Sequence, residues 1–156
     1  MFLRSLQTVA NGEAKLDEEH RRALDLALRY FRESAPKHTA DEEESLFPRL
    51  QGLKDEELQS ALMRVGELER DHREADGLHR RVEELGTAWL EANELGGSEL
   101  AEFRSAVTRL GNIYPHHIEI EDRILFPAAA RALSLEQKAQ IAAEMAGRRS
   151  VKLTSL

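Results

Sequence analysis

No cysteine occurs among the 156 residues. That absence excludes disulfides, thiolate nucleophiles, iron–sulfur clusters and zinc–thiolate sites together, so any metal must be held by nitrogen and oxygen donors. Proline (4 residues) and glycine (9 residues) are scarce beside 41% hydrophobic and 33% charged residues, a balance that favours long amphipathic helices over strands and turns. Basic residues are in deficit, 22 against 29 acidic, for a net charge of −7. A general nucleic-acid or anionic-membrane binder is thereby disfavoured, because both need a basic surface to displace counterions. Nowhere do about 18 apolar residues run together, and the apolar stretch of Met1–Leu6 is too short for a signal peptide, so a soluble cytoplasmic protein is expected. With no shift in composition along the chain, a single domain over 1–147 is expected, followed by a loose tail over 148–156.

What is present is helical periodicity. Leu16, His20, Leu24, Ala27, Leu28 and Phe31 recur at three- and four-residue intervals, which is one face of a helix that Pro36 should end. A shorter helix is predicted from Pro36, with His38, Glu42, Leu46 and Leu50 on one stripe before Gly52 and a bend at Pro48. A third, long helix is predicted from Asp55 through Leu58, Leu62, Val65, Leu68, His72, Asp76, His79 and Val82 to Trp89. Gly96-Gly97 interrupt the pattern, and Ser98 is a suitable N-cap for a fourth helix bearing Phe103, Val107, Leu110, Tyr114, His117, Glu121 and Leu125, kinked or divided at Pro115. Ser134 and Gln137 form a capping box for a short last helix, Leu135 to Ala146, stopped by Gly147. The expected fold is all-α: an antiparallel up-down four-helix bundle with an extra short C-terminal helix, the residues before Leu16 lying across it or along its end.

The most informative feature is an internal repeat. His38-x-x-x-Glu42-x-x-x-Leu46-Phe47-Pro48 recurs as His117-x-x-x-Glu121-x-x-x-Leu125-Phe126-Pro127 with every spacing kept. His20 lies upstream of the first copy and His72 upstream of the second, which suggests two helix pairs related by duplication. Residues four apart on a helix sit about 6 Å apart along the axis on one face, so each histidine–glutamate pair can address one site. Imidazole and carboxylate suit iron, zinc, copper or manganese, and a carboxylate can bridge two ions about 3.5–4 Å apart. Glu42 and Glu121 are assigned as bridges, with His20, His38, His72 and His117 completing the set. Two carboxylates and four neutral imidazoles against two divalent cations leave positive charge for hydroxide, oxide or a small molecule, and coordination positions stay open. Without a cation, burying these groups would cost several kcal/mol for each charged one, which outweighs the bland reading of four ordinary core histidines.

These residues resemble the hemerythrin-like, or HHE cation-binding, family, whose name describes the pattern seen twice here, over about Leu16 to Ala130. The resemblance implies a non-haem di-iron centre with an oxo or hydroxo bridge, His20, His38 and Glu42 forming one half and His72, His117 and Glu121 the other; zinc or manganese are the alternative metals. Oxygen-carrying hemerythrins have a second histidine one turn along the third helix, where this chain has Asp76. The aspartate that ends their last motif would match Asp122, but the repeat and helix phase favour Glu121. The set looks more like the di-iron proteins of iron-centre repair and nitric-oxide stress, without the extra cysteine-bearing N-terminal domain many of those carry.

Asp76 stands as a candidate seventh ligand, an acceptor for an imidazole N–H, or a surface carboxylate. Glu43 is a lesser candidate; His79, His116, Tyr114 and Trp89 are read as core or surface residues. The expected function is binding or sensing of a small oxidant, dioxygen or nitric oxide, at the di-iron centre, in stress response or iron-centre repair. Competing readings are a nitric-oxide- or peroxide-reducing enzyme, an iron store or donor, and a helical interaction module occupied by zinc. No nucleic-acid or membrane partner is expected.

Overall fold

The computed structural model describes residues 1–153, and every regular element among them is helical apart from one isolated bridge between Lys15 and Glu94. The helices are α1 (Phe2–Ala10), α2 (Glu18–Glu33), α3 (Ala35–Ala40), α4 (Phe47–Gln51), α5 (Glu56–Ala92), α6 (Gly97–Ile120), α7 (Phe126–Ala132) and α8 (Leu135–Leu153). Two π-helical turns interrupt them, at Asp41–Leu46 and Glu121–Leu125.

Two compact units share these elements. One comprises Met1–Ser34 and Arg73–His116, with a core of α1, α2, the C-terminal part of α5 and most of α6 that includes Leu6, Leu24, Leu28, Trp89, Phe103 and Leu110. Its helices pair antiparallel. Along α2 and α5, Arg21 donates to the Leu90 carbonyl at 2.7 Å and Arg32 reaches Glu83 further down. Between α5 and α6, Arg109 meets Glu74 while Arg81 meets Glu102. The connection from α5 to α6 turns on Asn93, which has a positive φ of 62°, a conformation asparagine tolerates at a helix C-terminus. The second unit comprises Ala35–His72 and the described part of His117–Leu156. Phe47, Leu50, Leu58, Val65, Leu68, Ile120 and Leu125 form its core.

Two departures from the expected elements have physical causes. The segment before Leu16 forms α1, whose buried residues Leu6, Val9 and Ala10 pack into the first core while Phe2 stacks on Tyr30 at 4.4 Å. The boundary expected at Pro36 is present, α2 ending at Glu33 and α3 starting at Ala35 with the proline in its first turn. The last helix does not stop at Gly147: α8 continues through it to Leu153. An internal glycine costs a helix only about 1 kcal/mol, and Arg148 and Arg149 are fixed by Asp41. The tail expected over 148–156 is therefore helical as far as Leu153, and 154–156 lie outside the described residues. Its start follows the capping box, with reciprocal bonds between Ser134 and Gln137 at 3.0 and 3.1 Å.

Trp89 anchors the first core: it is fully buried, meets Phe103 edge-on at 5.2 Å and donates its indole N–H to the Ala14 carbonyl at 2.7 Å. Trp89→Ala is expected to cost about 3–5 kcal/mol from cavity and lost transfer energy. Urea unfolding checks this, and a loss under about 1 kcal/mol would show that Trp89 does not organise the unit.

Candidate metal centre

The second unit gathers the repeat motif. Its cluster consists of Glu42, His72, His117 and Glu121, one donor atom of each lying within 4.8 Å of all the others. Trans donors on one first-row ion at about 2.1 Å would be about 4.2 Å apart, so one cation fits after slight contraction, and two fit if the carboxylates bridge. Glu42 and Glu121 are only 2% and 4% exposed, and His117 is 5% exposed. His38 joins from the rim, its Nε2 2.9 Å from Glu42 Oε1 although its side chain is 57% exposed.

The local backbone explains how these carboxylates come to face inward. Pro48 and Pro127 have no N–H, and their rings crowd the carbonyl four residues earlier, which a tight α-helix cannot relieve. In both copies the chain widens into a π-turn just ahead of the proline. Phe47 N–H then bonds the carbonyl of Glu42, and Phe126 N–H that of Glu121, each a step of five residues. The Leu-Phe-Pro triplet thus sets the turn that begins at or beside the acidic residue, and π-turns of this kind are frequent at functional sites. Pro115, by contrast, leaves α6 undivided.

The approaches between these groups are not ordinary hydrogen bonds. Glu42 Oε2 lies 3.0 Å from His72 Nε2, and Glu121 Oε1 lies 2.9 Å from His117 Nε2. Yet Glu42 Oε1 and Oε2 and Glu121 Oε1 are buried without a properly directed hydrogen-bond partner. Donors so close and so misdirected toward one another are aimed at a common point between them, as ligands of a cation are. The other ring nitrogens are held from behind: His72 Nδ1 contacts Glu43 Oε1 at 2.7 Å and His117 Nδ1 contacts Asp71 Oδ2 at 3.2 Å. This carboxylate–imidazole arrangement favours the tautomer protonated on Nδ1, the one whose Nε2 lone pair a metal can use.

The buried carboxylates and the imidazoles beside them perturb one another's charge states. Burial opposes charge on Glu42, but contact with His38 and His72 outweighs it and holds the carboxyl well below its usual range. Glu121 moves the other way, pushed up by burial and by the neighbouring Glu42 against the pull of His117. Contact with Glu42 raises His38; burial works against His72, but Glu42 and Glu43 raise it. A cation among these groups would compete with protons for the same nitrogen and oxygen atoms, so its binding is expected to be pH-dependent.

The other sequence candidates belong to the first unit. His20 belongs to the first unit, in the first turn of α2, where its Nδ1 is 3.0 Å from the N-cap residue Asp17 and its ring packs against Gly12. The helix starts give the reason. His20 stands eighteen residues ahead of His38, as Glu99 stands ahead of His117, both in the first turn of a helix. Its repeat counterpart is Glu99, whereas the counterpart of His72 is no residue of this sequence. Asp76 is also in the first unit, exposed and paired with Arg80 at 2.8 Å. His116 is exposed. His79 is partly buried in the first unit, stacked on Phe31 at 4.3 Å with Nε2 2.7 Å from the Tyr114 hydroxyl. Sequence reasoning missed Asp71, which precedes His72 off the apolar stripe and carried no periodic signal, while Glu43, the lesser ligand candidate, contacts His72 Nδ1.

A family model, the hemerythrin HHE cation binding domain, matches residues 1–143. No curated protein and no solved structure matches the chain.

Burial depresses the His79 imidazole to about 4 from an ordinary 6.5. Between those values the unfolded chain takes up a proton that the folded one refuses, so His79 contributes stability above pH 6.5 that is lost as pH falls toward 4. His38 and His72 act with the opposite sign, their raised folded values favouring the fold at low pH. His79→Gln should therefore gain stability relative to the parent as pH is lowered through this window. Paired thermal melts at pH 7.5 and 4.5 test it, and a constant difference would refute the assignment.

Proposed function

The chain belongs to the hemerythrin HHE cation-binding domain family, and from that premise we propose that it holds a non-haem di-iron centre that binds a small oxidant, dioxygen or nitric oxide. The observation that carries the proposal is the pair of buried carboxylates, Glu42 and Glu121, whose oxygens lack directed hydrogen-bond partners while facing three imidazoles. Three nitrogen donors and two carboxylates suit iron. Iron supplies redox change and the affinity for a diatomic ligand.

The chain's own residues divide the work. Glu42 and Glu121 would hold the metal through their carboxylates, and His38, His72 and His117 through ring nitrogens. Glu43 and Asp71 hold two imidazoles in the binding tautomer. Five protein side chains do not fill two octahedra, which leaves positions for an exogenous ligand. His20 and Asp76 stand outside the ligand set proposed here. The antiparallel pairing of α2, α5 and α6 in the first unit supports an up-down helical bundle there.

Protein expressed with adequate iron is expected to carry about two irons per chain, with a visible absorption that changes reversibly on anaerobic reduction and on exposure to dioxygen or nitric oxide. Glu42→Ala and Glu121→Ala should each reduce bound iron to one or none. Asp71→Asn should keep stoichiometry but weaken affinity by about 10- to 100-fold, the usual effect of losing such a partner. Zinc alone, or unchanged metal content in both glutamate variants, would refute the di-iron assignment and favour an interaction module.

A further inference from the structure

The two π-turns share a sequence pattern but not their surroundings. On the second, the outward positions are apolar: Ile120 is buried, and Ile124 and Ala128 also pack into the core of the unit. On the first, the corresponding residues are Asp41, Ser45 and Arg49, and α8 covers them. Asp41 is only 5% exposed and takes two arginines, Arg148 Nη1 at 2.9 Å on one oxygen and Arg149 Nη2 at 2.8 Å on the other. Arg148 Nη2 also donates to Ser45 Oγ at 2.7 Å. Ser45 donates to Glu144. Glu144 in turn receives a fork from Arg49, at 2.6 and 3.1 Å, while Arg49 Nη1 satisfies the Ser45 carbonyl at 2.9 Å.

We propose that α8 is a latch whose arginines position the first π-turn and thereby set how tightly the Glu42 half of the metal centre holds its ion. The inference rests on the metal-centre reading above and concerns regulation of that same site. Asp41 and Glu42 are adjacent, and successive side chains on a helix point about 100° apart. With Asp41 held outward against α8, Glu42 faces the imidazoles. Remove the arginines and a buried carboxylate is left uncompensated, a costly state that is relieved when the turn rotates Asp41 toward water. The same rotation carries Glu42 out of line with His38 and His72. Because the coupling is an equilibrium between two arrangements, it is reciprocal: an ion on Glu42 must also tighten the docking of α8. Among the described residues the second π-turn is covered by apolar side chains instead of ion pairs, so the effect falls on the Glu42 side of the centre.

The test is anaerobic titration of the full chain with ferrous iron against a competing chelator, with backbone hydrogen exchange read on α8. The double variant R148Q/R149Q, if its circular dichroism remains helical, is expected to lose about tenfold or more in affinity at one of two binding steps. R149K should retain most of it. R123Q, which removes an exposed pair with Glu119 beside the other π-turn, should bind as the parent does. In the unmodified protein, iron should slow exchange over 138–149, a readout that does not depend on any variant folding. Parental affinity in a folded R148Q/R149Q, or exchange in α8 indifferent to iron, would overturn the latch while leaving the metal centre intact. A parent chain that binds no iron would overturn both.

Discussion

Everything at the candidate centre follows from placing two carboxylates side by side in a helical interior. Glu42 and Glu121 are almost fully buried, and like charges so close cannot both be ionised without compensation. Apolar side chains of similar volume would have been the cheaper solution for stability alone. The surrounding imidazoles provide compensation only by taking up protons, since neutral histidine offers no positive charge. A cation removes the conflict outright: it neutralises both carboxylates and lets the imidazoles act as neutral donors. Metal binding and proton release are therefore two descriptions of one equilibrium in this unit, and folding is linked to both.

The way the backbone meets this demand is economical. A proline near the middle of a helix ordinarily breaks or kinks it. Here each proline is preceded by a widened turn that absorbs the clash and redirects the residues just before it, and those residues include the buried carboxylate of the candidate site. Phe47 illustrates the second effect of the triplet, being buried and stacked parallel to the His72 ring with centroids 6.3 Å apart. Phe126 has no equivalent burial and is 37% exposed. The same three letters thus do the same backbone work twice and different packing work each time.

That contrast explains which parts of the molecule could be read in advance. His38, Glu42, His117 and Glu121 were legible because their spacing is local and repeats, and His72 because it lies on the apolar stripe of a long helix. Helix existence was likewise legible from periodicity, and the capping box marked the start of α8 to the residue. His20 lies on a stripe as well, and the structure puts it in the first unit, in the first turn of α2 beside Asp17, a placement that a stripe does not record. The π-turns were invisible because periodicity assumes 3.6 residues per turn. Asp71 and Arg148 escaped notice because their roles are tertiary, reaching across from one helix to another, and no spacing within a helix encodes that.

The two halves of the centre, descended from one pattern, are not equivalent in their access to water. His117 is buried with Glu121, against an outer wall of isoleucine. His38 is more than half exposed, and Glu42 beside it depends on a turn held by ion pairs. An ion that exchanges with solvent must shed its protein donors one at a time, and the first to let go is the one that water can reach. Burial at His117 and Glu121 with exposure at His38 gives the candidate site one enclosed side and one side open to water. A symmetric cage of buried donors would hold metal more tightly but would offer no face at which an incoming ligand or a departing ion could begin.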